Sequence, residues 1–490
     1  MKLPYANVPR CMSTQHPDNV ITPFFASSQA LGGEDEVIEA YYTLSHLGCD
    51  EQMWDCEGKE FDNFLVRKLL TQYESFFREN QIGDEVRITL RVPNPAVEKA
   101  EAKILLETLE SIPRSFDAAT LFYGNEIPPI FEVILPMATD AIALERIRAY
   151  YKDFVIGKEN KPIRKGDITV GEWIGDFKPK DIHVIPLFED KEHLLNAANV
   201  TREFLKNQKV PYQRVFLARS DPAMNYGMIS AVMLNKIALQ RLQKLSEEVG
   251  IPICPIIGAG SAPFRGNLRP DNTQEIAKEY ASAYTFTVQS AFKYDYEPDE
   301  VRSGVEILKN RDPEAIPEIE EEKCLEILER YAAEYQKQVM QLAPLINNVS
   351  KFVPKRRKRK LHIGLFGYAR DVKGVTLPRA ISFTASLYSL GIPPEILGLN
   401  ALTMDDIRFL DSVYLNLVRD LKDALRFCNL EAKFLPDSLR EYISNLPFGV
   451  QSNEEHASYA KVVEQAVSEG ATAPIQEAVL RAAHVRRFLG

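Results

Sequence analysis

Short runs rich in β-branched and aromatic residues recur along the chain, each closed by polar, Gly or Pro residues and followed by an amphipathic stretch. They are CDEQMWDCEG from Cys49, VRITLRVPNP from Val86, PIFEVILPMATD from Pro129, DIHVIPLFED from Asp181 and QRVFLARSDP from Gln213. GIPICPIIGAGS from Gly250, AYTFTVQSAFKYD from Ala283 and KLHIGLFGYARD from Lys360 complete the set. Between them, segments such as NKIALQRLQKLSEEV from Asn235 keep apolar residues three or four apart, the spacing of one helix face. Strands alternating with helices predict parallel βαβ units, and eight such units close most naturally into a (β/α)8 barrel; a doubly wound open sheet is the alternative.

This pattern predicts one catalytic unit in three parts. Residues 1–48 form an N-terminal segment carrying QHPD, residues 49–377 the eight-strand barrel, and residues 378–490 a helical region closing over it. The wider gap before the last run holds a helical insertion, about 311–350, whose early carboxylates suit the positive end of a helix dipole.

Composition narrows the function. Of 490 residues, 59 are Lys or Arg and 69 Asp or Glu, a net charge of -10 that argues against nucleic acid or an anionic membrane as principal partner. No run approaches the roughly 20 apolar residues of a membrane span, and the N-terminus lacks the apolar stretch of a secretory signal. The six cysteines form no CxxC pair and read as reduced thiols, so the expected location is the cytoplasm. KRRKRK, Lys355–Lys360, is the one conspicuous charge run. It reads as a solvated or interface-facing lead-in to the eighth strand, with a phosphate or nucleic-acid patch as the sharper alternative.

In an α/β barrel, catalytic groups stand at the C-terminal ends of strands. The residues just past each run are Asp55 and Glu57, Arg91, Asp140, Glu189, Asp221, the Gly258–Arg265 loop, Gln289 and Arg370. Carboxylates and arginines on one face suit a hard cation and a phosphorylated anion. Each has a plainer reading. Asp221 before Pro222 would make a helix N-cap, GAGSAPFRG can be a tight turn instead of an anion cradle on backbone N–H groups, and STQHPDN around His16 can be a turn.

Taken in order, MSTQHPDN, IPLFED, ARSDPAMNYG, GAGSAPFRGNLRP, PRAISFTASLYSLGIPPEILGL and a terminal glycine make the chain resemble the phosphoenolpyruvate carboxylase family in its short archaeal form, over essentially its whole length. The resemblance implies carboxylation of phosphoenolpyruvate with bicarbonate to oxaloacetate and phosphate, through carboxyphosphate and a metal-stabilised enolate. It further implies Mg²⁺ (or Mn²⁺) held by Glu189 and Asp221, His16 as catalytic histidine, and a homotetramer. Arg91 is expected to bind phosphate and Arg265 to serve phosphate or bicarbonate. Arg370, Arg379, Gly258, Gly260 and Gln289 would contribute to substrate binding, with the Gly-rich loop and the C-terminal tail as lids. The long form of the family carries a His, an Arg and a Lys where this chain has Ile257, Ala259 and Met224. Another metal-dependent barrel lyase of the enolate or aldolase type, or a non-catalytic anion-binding protein, are the competing readings.

Overall fold

A computed structural model describes residues 8–58, 62–99, 102–206, 208–358, 370–372 and 375–490. Its centre is a closed barrel of eight parallel strands: β1 (Cys11–Ser13), β2 (Glu51–Asp55), β3 (Arg87–Arg91), β4 (Glu132–Leu135), β5 (His183–Phe188), β6 (Gln213–Ala218), β7 (Ile253–Gly258) and β8 (Thr285–Val288). Seven of these lie within runs picked out by the hydrophobic pattern. The eighth does not. The barrel closes through β1, which pairs with both β2 and β8, so the N-terminal segment belongs to the barrel and does not precede it. Three residues, CMS, are too few to display the period-two alternation on which strand prediction rests. The run expected to close the barrel falls largely outside the described residues. Its last two residues, Arg370 and Asp371, belong to a strand, Arg370–Val372, that pairs antiparallel with Val375–Leu377 in a separate two-stranded sheet.

The barrel interior is layered. At the strand starts Arg214, 1% exposed, donates to Glu51 (2.6 Å) and Glu132 (3.0 Å), and Arg87 reaches Glu132 at 3.2 Å. Charges this deep persist only because each guanidinium meets carboxylates at hydrogen-bond distance. Above them Met12, Met53, Ile134, Ile185, Leu187, Phe216, Ala218 and Ile256 form an apolar plug. The polar strand ends stand on that plug, sealed from below.

After β8 the chain passes into a 29-residue helix, Glu321–Val349, and then a C-terminal layer of helices from Ala380 to Arg486. The long helix buries Tyr331 and Tyr335 against the barrel, and the Tyr335 hydroxyl donates to the Met224 carbonyl at 2.9 Å. Its end delivers residues 350–358 to the barrel mouth. Among the described residues no helix is long and apolar enough to cross a membrane.

Candidate active site

A cavity of about 870 Å³ opens at the C-terminal ends of the strands. Its walls include His16, Asp55, Glu57, Arg91, Glu189, Asp221, Gly258, Gln289 and Arg379, with Arg265 reaching in from the Gly-rich loop. Residues from seven strand ends and from the C-terminal layer, spread over more than 300 positions of sequence, thus meet in one space.

The N-terminal motif is not a solvent turn. Gln15 Oε1 accepts the Asp55 N–H (3.0 Å), and the His16 carbonyl accepts N–H groups of Asp18 and Ser290. His16 Nδ1 lies 2.9 Å from Thr14 Oγ1, which orients the ring against the cavity. Asp18 is fully buried; its carboxylate accepts from the Ala291 N–H (2.7 Å) and from Arg265 (3.1 Å). Because β1 sits between β2 and β8, His16 is itself a strand-end residue, placed like the others.

Glu189 follows β5 and is buried, with one oxygen accepting the Met137 N–H at 2.9 Å. Asp221 lies in the first turn of the helix Ser220–Tyr226 after β6, but the N-cap position there is Arg219 and no side chain caps it. The plain capping role for Asp221 is therefore excluded. Asp140 is the opposite case. It is exposed, caps the helix Ala141–Tyr150 by accepting the Ala143 N–H (2.8 Å), and stands away from the cavity.

Arg91, the last residue of β3, pairs through Nη1 with Asp55 (2.9 Å) and Glu57 (2.7 Å). The three carry two negative charges against one positive before any substrate arrives. Arg265 is more tightly committed. Nε donates to Ser220 Oγ (3.0 Å), Nη1 to Asp18 and to the Gly490 carbonyl oxygen (2.8 Å), and Nη2 to Gln289 Oε1 (2.5 Å). Of five N–H groups four are engaged, which leaves one for an anion and rules out a bidentate clamp.

The Gly-rich loop is no backbone cradle. Gly260 donates to the Arg265 carbonyl (2.9 Å), Ser261 faces Asp18, Phe264 donates to Glu395 (2.6 Å), and Arg265 and Gly266 donate within the loop. Gly260 stands behind the wall, and only Gly258 lines the cavity. Gly260 is needed for another reason: a Cβ there would lie 2.9 Å from Gln289 Oε1 and 3.1 Å from the Arg265 guanidinium. The tail is equally fixed. Leu489 donates to the Asp18 carbonyl (2.7 Å), and a Cβ on Gly490 would meet the Ile381 carbonyl oxygen at 2.2 Å. The two expected lids are packed walls, locked together by Arg265.

Arg379 precedes the helix Ala380–Ser389 and lines the cavity. Arg370 lies in the small two-stranded sheet, outside the barrel. Ile257, Ala259 and Met224 are buried in the apolar core, so nothing cationic replaces the long form's residues at those points. The hydrophobic pattern passed over Arg219, 1% exposed at the end of β6, whose Nε and Nη1 make no hydrogen bond among the described residues. Its signal was present in ARSDP, one residue past the strand.

Beneath the loop, Glu395 accepts the Phe264 N–H and the Tyr388 hydroxyl (2.6 Å each), and burial pushes its carboxyl up to about 7. Burial does the same to Asp420, which accepts from Asn267 at 2.7 Å. A folded-state pKa above the unfolded value of about 4.3 means that the native protein binds the proton more tightly. That stability is complete below the unfolded value and is lost as pH rises through about 7. Glu395→Gln resembles the protonated acid and escapes this loss, while Asp420 keeps its share. Thermal unfolding at pH 5 and pH 8 is expected to show the variant gaining on wild type at the higher pH. Parallel curves would show that Glu395 does not titrate in this window.

A closed parallel barrel whose C-terminal mouth gathers carboxylates and guanidinium groups is the framework of a barrel enzyme acting on small anionic substrates. Within that class the chain belongs to the phosphoenolpyruvate carboxylase family, whose model matches residues 8–490. The phosphoenolpyruvate carboxylase of Methanothermobacter thermautotrophicus is 58% identical over 487 residues, 99% of this chain and 100% of that one. That of Methanospirillum hungatei JF-1 is 54% identical, again over 99% and 100%. The Pyrococcus furiosus enzyme is 53% identical over 89% of this chain and 95% of its own length.

Proposed function

We propose that this chain carboxylates phosphoenolpyruvate with bicarbonate, using Glu189 and Asp221 as ligands of Mg²⁺ or Mn²⁺. The observation that carries the reading is the meeting, in one cavity, of carboxylates from two neighbouring strand ends with His16 and Arg91. The donor set fits such an ion. Mg²⁺ needs only one or two protein carboxylates and keeps several waters, and among the described residues no group of three or more His, Cys, Asp and Glu forms a fuller cage. When bound, the cation supplies positive charge where an enolate oxygen develops.

The remaining work falls to the protein's own side chains. Arg91 and Arg379, with the single remaining N–H of Arg265, neutralise the phosphoryl group as it passes to bicarbonate, giving carboxyphosphate and the enolate of pyruvate. His16, oriented by Thr14, takes the carboxyphosphate proton, which favours breakdown to CO₂ and phosphate. The enolate then attacks CO₂ to give oxaloacetate. The packed loop and tail exclude the water that would protonate the enolate to pyruvate.

The expected working state is a cytoplasmic homotetramer. Trp173 and Ile174, 67% and 61% exposed in the excursion between β4 and β5, supply apolar surface of the kind a subunit contact covers; sedimentation gives the subunit count. The reaction is tested by following phosphate release from phosphoenolpyruvate with Mg²⁺, with and without bicarbonate, alongside oxaloacetate by coupled reduction to malate. Bicarbonate-dependent appearance of both products is expected. Phosphate without oxaloacetate, or product formation indifferent to bicarbonate, would favour a different enolate lyase on the same barrel.

A further inference from the structure

The described part of the KRRKRK run, Lys355–Lys358, is neither wholly solvated nor a uniform basic patch; its last two residues lie outside the described residues. Arg357, 3% exposed, donates to Glu36 (2.9 Å) and Glu39 (2.8 Å). Arg356 donates to the carbonyl oxygens of Asn19 (3.3 Å) and Val20 (2.6 Å), just past the histidine motif. Backbone bonds from Leu31 N–H to the Arg356 carbonyl and from Lys358 N–H to the Leu31 carbonyl pin the same stretch. Both arginines are thus committed to anchoring a strap across the barrel mouth. What the strap presents is different. Lys351, Lys355 and Lys358 are exposed, line the cavity, and pair with no acid among the described residues.

These three ammonium groups answer an electrostatic problem. The chain carries a net charge of -10, and four of its acids, Asp55, Glu57, Glu189 and Asp221, line the cavity beside arginines that lie deeper than the rim. A substrate bearing phosphate and carboxylate is repelled at long range by the net charge before it reaches those arginines. A rim of cations over a low-dielectric cleft reverses the local field and concentrates the anion there. Lysine suits attraction over recognition, because a hydrated point charge on a flexible stem imposes no geometry, whereas the fixed arginines deeper down do.

We propose that Lys351, Lys355 and Lys358 form a capture site at the cavity mouth for a phosphorylated carboxylate anion, separate from the groups that hold it for reaction. The proposal rests on the reaction proposed above only for the identity of that anion. The rim lowers the energy of substrate and transition state together relative to free enzyme, so it acts on kcat/KM and not on kcat.

The test compares wild type with the K351Q/K355Q/K358Q variant in saturating Mg²⁺ and bicarbonate. Ionic strength runs from about 0.01 M to about 1 M, over which the screening length shrinks from about 30 Å to about 3 Å. Expected are an unchanged kcat, a kcat/KM for phosphoenolpyruvate lowered about tenfold at low salt, and convergence of the two enzymes at high salt. An equal salt dependence in both enzymes, or a loss confined to kcat, overturns the capture site. Calorimetric binding of phosphoenolpyruvate with Mg²⁺ but without bicarbonate separates the two readings. Lysine-dependent, salt-sensitive binding by a wild type that turns nothing over keeps the rim and overturns the reaction. Binding indifferent to the three lysines overturns the rim.

Discussion

An Asp221→Asn enzyme is expected to lose about 10³-fold in kcat, on the order of 4 kcal/mol of transition-state stabilisation, while unfolding at the wild-type temperature. The side chain sits in the first turn of a helix it does not cap and faces the cavity, and asparagine keeps its shape while removing its charge. On the proposed assignment, what it removes is one of the two metal-ligand carboxylates, and with it the positive charge set against a developing enolate. Titrating activity with Mg²⁺ checks the assignment. The variant should need far more metal to recover even its residual rate. Near-normal turnover at ordinary metal would place the ligand elsewhere. Glu189→Gln should show the same kinetic loss with a small cost in stability, since Glu189 also accepts the Met137 N–H.

The largest effect on stability is expected at Glu39, far from any reacting atom. This carboxylate is fully buried and joins Lys293 (3.0 Å), Arg357 (2.8 Å) and the Tyr294 hydroxyl (2.8 Å). Lys293 also donates to Ser13 Oγ and the Thr14 carbonyl. One carboxylate thereby ties the strand that carries His16 to the strap that carries the rim lysines. Against the opposing pull of burial, Arg357 and Lys293 hold its carboxyl well below the usual range. The stability it contributes is present above the unfolded value and lost only as pH falls through the depressed folded one. Glu39→Gln leaves Lys293 facing a neutral amide and Arg357 with Glu36 as its remaining carboxylate, and a loss of about 3–5 kcal/mol in urea unfolding is expected. Removing Lys293 with it, as E39Q/K293M, should recover much of that loss, because Arg357 keeps Glu36. A single variant as stable as wild type would mean that water reaches the cluster.

Seven barrel strands were legible because each is four to six residues long and buried, with polar strand ends, a pattern that follows from local sequence alone. From those ends Asp55, Arg91, Glu189, Asp221 and Gln289 could be read as neighbours, since a parallel barrel sends every strand end to the same face. The same logic misled at Asp140, where a strand-end acid proved to be a helix cap. It failed at His16, whose three-residue strand carries no period. The family resemblance reached His16 where periodicity could not.

Contacts across long stretches of sequence were beyond any local reading. Nothing in GAGSAPFRG announces that Arg265 closes on Asp18 and on Gly490, 225 residues away, or that within KRRKRK Arg356 and Arg357 would be buried anchors while Lys355 and Lys358 are exposed. Strand order, the apolar plug and the gathering of carboxylates and arginines at one mouth follow from periodicity and connectivity, which are properties of neighbouring residues. Which charges remain to meet a substrate depends on partners in space. Burial of a guanidinium demands a carboxylate or carbonyl within hydrogen-bond reach, and only the folded chain decides which one is there.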